Sequence, residues 1–170
     1  MKTRFILPLL VLASFISSCN VDNESNYTPT IILGNPAKIN GDSSIYMSYT
    51  DNTHDAVKFD SLHVSDTVVV QVLVNGVSNN VTEFYVIPSD TTSVKVILPD
   101  SLNEYFTSQS DFKAGKFILK KKSTMLYFPL KFVPKQPKDQ LKFDIKAVSD
   151  AINITNSVSI QLVFPIKPKR

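Results

Sequence analysis

Leu141-Lys142-Phe143-Asp144-Ile145-Lys146 places an apolar side chain at every second position and a charged one between. A period of two, rather than 3.6, puts three large apolar groups on one face of an extended strand and three ions on the other. The segment predicts a half-buried strand, and strands of this kind close a core by packing sheet on sheet. The alternation recurs at Val158, Ile160, Leu162 and Phe164 against Ser159 and Gln161. It appears again at Leu126, Phe128, Leu130 and Phe132 against Met125, Tyr127 and Lys131.

Residues 68–74 are apolar on both faces except at Gln71, the pattern of a central strand. Asn75-Gly76 follows, a dipeptide that suits the positive backbone angles of a tight hairpin turn. Further strands are expected at 45–49, 56–59, 81–87, 94–98 and 115–119, separated by turn chemistry at Pro88-Ser89-Asp90 and by the lysine run that ends before Ser123. Pro129 cannot donate to a ladder and points to an edge or a bulge. Residues 99–106 carry the one helical signal: Asp100 or Ser101 can cap, and Glu104 stands three residues after Ser101. The expected fold is all-β, an antiparallel immunoglobulin-like β-sandwich of about eight strands with at most one short helix. A Cys-Trp-Cys core is excluded, since the chain has no tryptophan and a single cysteine.

The 170 residues, 43% hydrophobic and 19% charged, amount to one domain of globular composition. They exclude a disordered polymer, a collagen repeat, a heptad coiled coil and a disulfide-stapled miniprotein. At the amino terminus Lys2 and Arg4 precede an apolar run over 5–15. That run is short of the roughly 20 residues a membrane-crossing helix needs and reads as a signal peptide. Ile16-Ser17-Ser18-Cys19 resembles the bacterial lipobox, whose cysteine is acylated and becomes the new amino terminus, which accounts for the lone thiol. The expected organisation is a lipoprotein signal peptide over 1–18, lipidated Cys19 with a polar tether over 19–40, and a sandwich domain over 41–170. Within the tether, Ile31-Ile32-Leu33 is too apolar to stay exposed and reads as a first strand.

Charge is unevenly distributed. Residues 19–110 hold 3 basic and 11 acidic side chains, residues 111–170 hold 13 and 4, and the balance after cleavage is +1. In a sandwich these halves interleave, so acidic strands are expected beside basic ones, with a basic docking patch as the alternative. Lys120, Lys121 and Lys122 either blunt an edge or meet anionic headgroups.

The lipobox, the polar tether, residues 66–76, Ser110-Asp111-Phe112-Lys113-Ala114-Gly115-Lys116-Phe117 and residues 126–133 together resemble small Bacteroidetes lipoproteins with immunoglobulin-like or Calx-beta-like sandwich domains. The resemblance implies an envelope location and a fold and carries over no catalytic residue; the expected place is the outer membrane, with periplasmic and surface-exposed sides both open. Asp111-Phe112 with Gly115 matches in outline a pattern that opens an edge strand in such families. Asp22 and Glu24 are similar to their acidic export tags. Asp60-Ser61-Leu62, Asp66-Thr67-Val68, Asp90-Thr91-Thr92 and Asp100-Ser101-Leu102 are similar to their O-glycosylation triplets and equally to turn pairs.

Catalytic signatures are absent: there is no G-x-S-x-G, P-loop, dinucleotide fingerprint or zinc-protease helix motif. His54 lies between Asp51 and Asp55, and His63 between Asp60 and Asp66, clusters that read as solvated loops rather than acid/base sites. No enzyme activity, cofactor or nucleic-acid partner is expected. Three roles remain: an envelope binding or assembly module with an outer-membrane protein partner, a glycan-binding accessory of polysaccharide uptake, and a calcium-binding adhesion module. Tyr46, Tyr49, Asp51 and Asp55 form the expected ligand-binding set, because the two rings stand beside the acidic loop. Tyr85, Tyr105 and Tyr127 are the other candidate rings. Asp51, Asn52 and Asp55 offer oxygen ligands for calcium, which Asp42 or Asp90 would complete, though not at EF-hand spacing.

Overall fold

The computed structural model describes residues 27–49, 55–152 and 154–170. Among these, thirteen strands and one helical turn form two packed sheets. The first sheet holds β1 (Thr30–Leu33), β2 (Ala37–Ile39), β3 (Ser43–Ile45), β7 (Val68–Asn75), β9 (Val94–Ile97) and β11 (Met125–Pro134). Its order is β3-β2-β7-β11-β9, with β1 also on β7. The second holds β4 (Met47–Tyr49), β5 (Ala56–Phe59), β6 (Leu62–His63), β8 (Val81–Pro88), β10 (Lys116–Ile118), β12 (Lys138–Ser149) and β13 (Ser157–Lys167). Its order is β10-β8-β12-β13-β5-β4, with β6 also on β13. Pairing is antiparallel except where β13 meets β5 and β6 in parallel. The all-β sandwich expected from alternation is therefore the fold, with more strands than the expected eight.

The alternation sorts side chains as predicted. Leu141, Phe143 and Ile145 are fully buried, as are Val68, Val70, Val72 and Val74 on β7. The two layers interdigitate through rings. Phe132 of the first sheet lies 4.7 Å from Phe143 and 5.0 Å from Phe164 of the second. Phe128 stands 5.0 Å from Phe84 and 5.1 Å from Phe117 across the same gap. Each such ring contributes about 1.5–3 kcal/mol by leaving water.

Three expectations change, and the edge expected at Pro129 is met. β1 and β2 are strands of the first sheet, so the folded unit begins at Thr30, inside the segment expected as tether up to 40. Asn75-Gly76 does not form a hairpin, because both edges of Asn75 are already filled, by Thr30 of β1 and Met125 of β11. The chain instead crosses to the other sheet: Gly76 donates its N–H to Thr124 O at 2.8 Å, and Val77 takes the positive φ of 62°. Ser101 occupies the N-cap of α1 (Leu102–Tyr105) without a side-chain capping bond. The expected edge at Pro129 is local, since β9 pairs only with residues 131–134 of β11 and ends short of the proline.

The oppositely charged halves do interleave. Lys138 Nζ lies 2.6 Å from Asp90 Oδ2, and Lys116 Nζ lies 3.9 Å from Glu83.

Candidate functional site

The expected site residues separate in space. Tyr46 is exposed between β3 and β4, where its N–H donates to Asp60 Oδ2 at 3.4 Å. Tyr49 ends β4. Asp51, Asn52 and His54 lie outside the described residues. Asp55 precedes β5, and its carbonyl accepts the Gln161 N–H at 2.8 Å. It joins Tyr85, Ile87, Asp144, Lys146 and Gln161 in a trough of about 830 Å³ on the outer face of the second sheet, and Tyr46 is not part of its lining. Of the residues proposed to complete a calcium site, Asp42 lies in the exposed β2–β3 turn and Asp90 is engaged elsewhere. His63 sits in β6 with its ring 3.9 Å from Asp66, whose carboxylate accepts the His63 backbone N–H at 2.8 Å. Among the described residues no group of three or more His, Cys, Asp or Glu could hold a metal ion.

The outer-face trough is internally satisfied. The Tyr85 hydroxyl donates to Glu83, and this bond, together with partial desolvation, pushes the phenol up to about 12. Lys116 and Lys146 stand over the Tyr85 ring, each 5.9 Å from its centre, and cover the face a ligand would stack on. Gln161 donates to Asp144 at 2.8 Å. Polar groups partnered in this way hold neighbouring strands together and offer little to a ligand.

A different surface lies on the flank of the first sheet. Period-two alternation turns Met125 and Tyr127 outward on β11 while Phe128, Leu130 and Phe132 turn inward. α1 then lies along this strand, because the chain leaving β9 has to cross to the second sheet and Leu102 and Phe106 bury themselves on the way. Phe106 packs edge-on at 5.3 Å from Phe117, which fixes the turn against the core. Tyr105 is left 62% exposed and Tyr127 61% exposed, both on this flank. They share two contiguous grooves: an apolar one of about 280 Å³ floored by Pro99, Leu102, Leu126 and Pro129, and a more polar one of about 590 Å³ with Glu104, Lys121 and Ser123 at its rim.

Tyr105 and Tyr127 were both legible as candidate rings. Their adjacency was not, because it depends on where α1 docks. The outward alternation of Tyr127 was the usable signal. The segment 111–118 behaves as an edge-opening turn: Asp111 Oδ1 accepts the N–H groups of Lys113 and Ala114 at 3.1 and 3.0 Å, Gly115 takes φ +72°, and β10 follows at the sheet edge. Comparison with protein-family models and with curated proteins finds no match to this chain.

Proposed function

We propose that the chain is a lipid-anchored module of the outer membrane, acylated at Cys19, that binds a partner and catalyses no reaction. The observation that carries the binding half is the Tyr105 and Tyr127 pair, two rings held open over an apolar floor at the flank of a rigid sandwich. Aromatic rings are costly to expose side by side, and their amphipathic character suits a ligand with both apolar faces and hydroxyls. That chemistry favours a glycan over a flat protein surface, because sugar rings present C–H faces for stacking and hydroxyls for Glu104 and Ser123. The anchoring half rests on Lys2, Arg4, the apolar run and the tetrad that ends in Cys19.

A thermal-shift panel on the full chain tests the ligand. An oligosaccharide at about 100 times its dissociation constant adds roughly 2.7 kcal/mol of stability. The shift is expected to vanish in Tyr105→Ala and Tyr127→Ala and to persist in Tyr46→Ala. A flat panel across neutral and anionic oligosaccharides would remove the glycan reading and leave a protein partner, sought by crosslinking in intact envelopes. A His54→Gln, His63→Gln double variant is expected to retain all binding.

A further inference from the structure

The two ends of the sandwich differ in what they expose, and the chain enters at one of them. Tyr27, the first described residue, is tied there: its carbonyl accepts a hydrogen bond from Asn79 Nδ2 at 3.0 Å. Three loops meet at the same end. Gly76 donates to Thr124 O at 2.8 Å, Val81 to Ser123 O at 2.8 Å and Asp150 to Asn80 O at 2.9 Å. At this end Val77 and Ile152 project from the loops and Met125 from the first position of β11, all exposed, as is Tyr27. Lys120, Lys121 and Lys122, also exposed, lie in the loop that leads into β11. The groups facing them are the Asn103 carbonyl, which accepts a bond from Lys120 Nζ, Asp150, which is bonded by Asn80 at 2.7 and 2.8 Å and feels the charge of Lys122, and Glu104 on α1, so Lys121 and Lys122 are the ammonium groups most open to solvent.

We infer that this end is a membrane-contact face, on which Val77, Met125 and Ile152 touch the interface and the three lysines meet anionic lipid headgroups. The inference rests on the acylation of Cys19 proposed above. The length of chain decides the orientation. Seven residues lie between Cys19 and Tyr27, and the eight Cα-to-Cα steps, fully extended, reach no more than about 28 Å. The opposite end is a strand away, and the 12 residues of β12 span about 40 Å. A chain that leaves at Tyr27 therefore cannot run back along the body and seat the far end on the bilayer. The near end stays within reach of the bilayer, and it is the end with three exposed apolar side chains and three adjacent ammonium groups. Interfacial apolar side chains and juxtamembrane lysines act together in this way, one by desolvation and the other by attraction to the negative leaflet.

The test uses the full lipidated chain. Acylation converts Cys19 to a thioether, so an introduced cysteine is the single free thiol and takes a fluorophore at one place. Ser78→Cys and Ile152→Cys report the near end, and Lys135→Cys reports the far end. The labelled proteins are reconstituted in vesicles of phosphatidylcholine, with or without about one third phosphatidylglycerol and with a spin label on the headgroup. Quenching is expected at Ser78→Cys and Ile152→Cys, at least several-fold stronger than at Lys135→Cys, and stronger with phosphatidylglycerol. Adding Lys120→Gln, Lys121→Gln and Lys122→Gln is expected to abolish the gain from phosphatidylglycerol. Equal quenching at the two ends, or more at Lys135→Cys, would overturn the orientation. Near-end quenching indifferent to headgroup charge and to the lysines would overturn the anionic-lipid assignment, and protection of Ser78→Cys only in native envelopes would assign the face to a protein. Intact mass without acyl chains, together with a reactive Cys19 thiol, would instead overturn the anchor itself, an outcome distinguishable from the others.

Discussion

The end of the sandwich where the chain enters and the end opposite it are built from the same strands and solve opposite problems. At the far end Asp90 gathers a compact network. Its carboxylate accepts the Thr92 N–H at 2.9 Å, the Thr92 hydroxyl at 2.6 Å and the Lys138 ammonium at 2.6 Å, and the Ser93 hydroxyl donates to it as well. Gln136 Nε2 reaches Ser93 Oγ at 2.6 Å, and Asn40 Nδ2 reaches Asp66 at 3.0 Å nearby. Polar side chains there satisfy one another and close the loops. At the near end Asn79 and Asn80 tie the loops down in a similar way, but Val77, Met125 and Ile152 are left exposed beside a lysine run of which only Lys120 has its ammonium bonded, to the Asn103 carbonyl. The lesson is that a polar cluster with all its partners is architecture, whereas exposed apolar tips beside solvated lysines mark a surface open to a partner.

The comparison breaks most severely where both ends depend on one core. Phe132 is fully buried between Phe143 and Phe164, and Phe132→Ala is expected to cost about 3–5 kcal/mol, read as a lower urea midpoint with loss of order at both ends. Glycine substitutions sharpen the contrast next. At the near end a Cβ on Gly76 would stand 2.3 Å from Asn79 O, so Gly76→Ala must displace the loop that holds Tyr27, at about 1–3 kcal/mol. At the far end Gly41 has open space around it and only its φ of +91° to lose, so Gly41→Ala is expected to cost about 1 kcal/mol. Equal effects of the two in chemical denaturation would show that the near-end loop relaxes freely.

A smaller, pH-dependent difference follows from Asp90. The Lys138 ammonium and the Ser93 and Thr92 hydroxyls hold its carboxyl far below its ordinary value of 3.8. A depressed carboxylate stabilises the folded state fully above the unfolded value and loses that contribution as the pH falls towards the folded one. Asp90→Asn is therefore expected to lower the denaturation midpoint at pH 7, with the gap to the native chain closing below about pH 3.8; a gap independent of pH would assign the effect to packing. The smallest stability change is expected for Tyr127→Ala, within about 0.5 kcal/mol because the ring is largely exposed, while its effect on ligand-induced stabilisation is complete.

Much of the fold was legible residue by residue. The faces of β11, β12 and β13 follow from alternation alone, whereas β7, apolar on both sides in sequence, has its buried side chosen by the packing; the turn at Asp111 to Gly115 follows from a short side chain accepting backbone N–H groups ahead of a glycine. The site was legible only in part. Tyr105 and Tyr127 could be named but not paired, and Tyr46 was weighted for its nearness in sequence to Asp51 and Asp55, a nearness that does not carry it into the trough where Asp55 sits. The β7–β8 hairpin was misjudged for a related reason: Asn75-Gly76 is compatible with a hairpin, but a hairpin also needs a vacant strand edge, and β1 and β11 occupy both.

The sequence by itself determined which segments extend and which of their faces are apolar, because a period of two is written in neighbouring residues. Only the tertiary structure decided which strands pair, that Tyr105 of α1 and Tyr127 of β11 line the same grooves, and that the lysine run, the exposed apolar side chains and the incoming chain share one end. Those outcomes depend on competition among strands for a limited number of edges, and that competition is settled by the whole core at once rather than by any local stretch of chain.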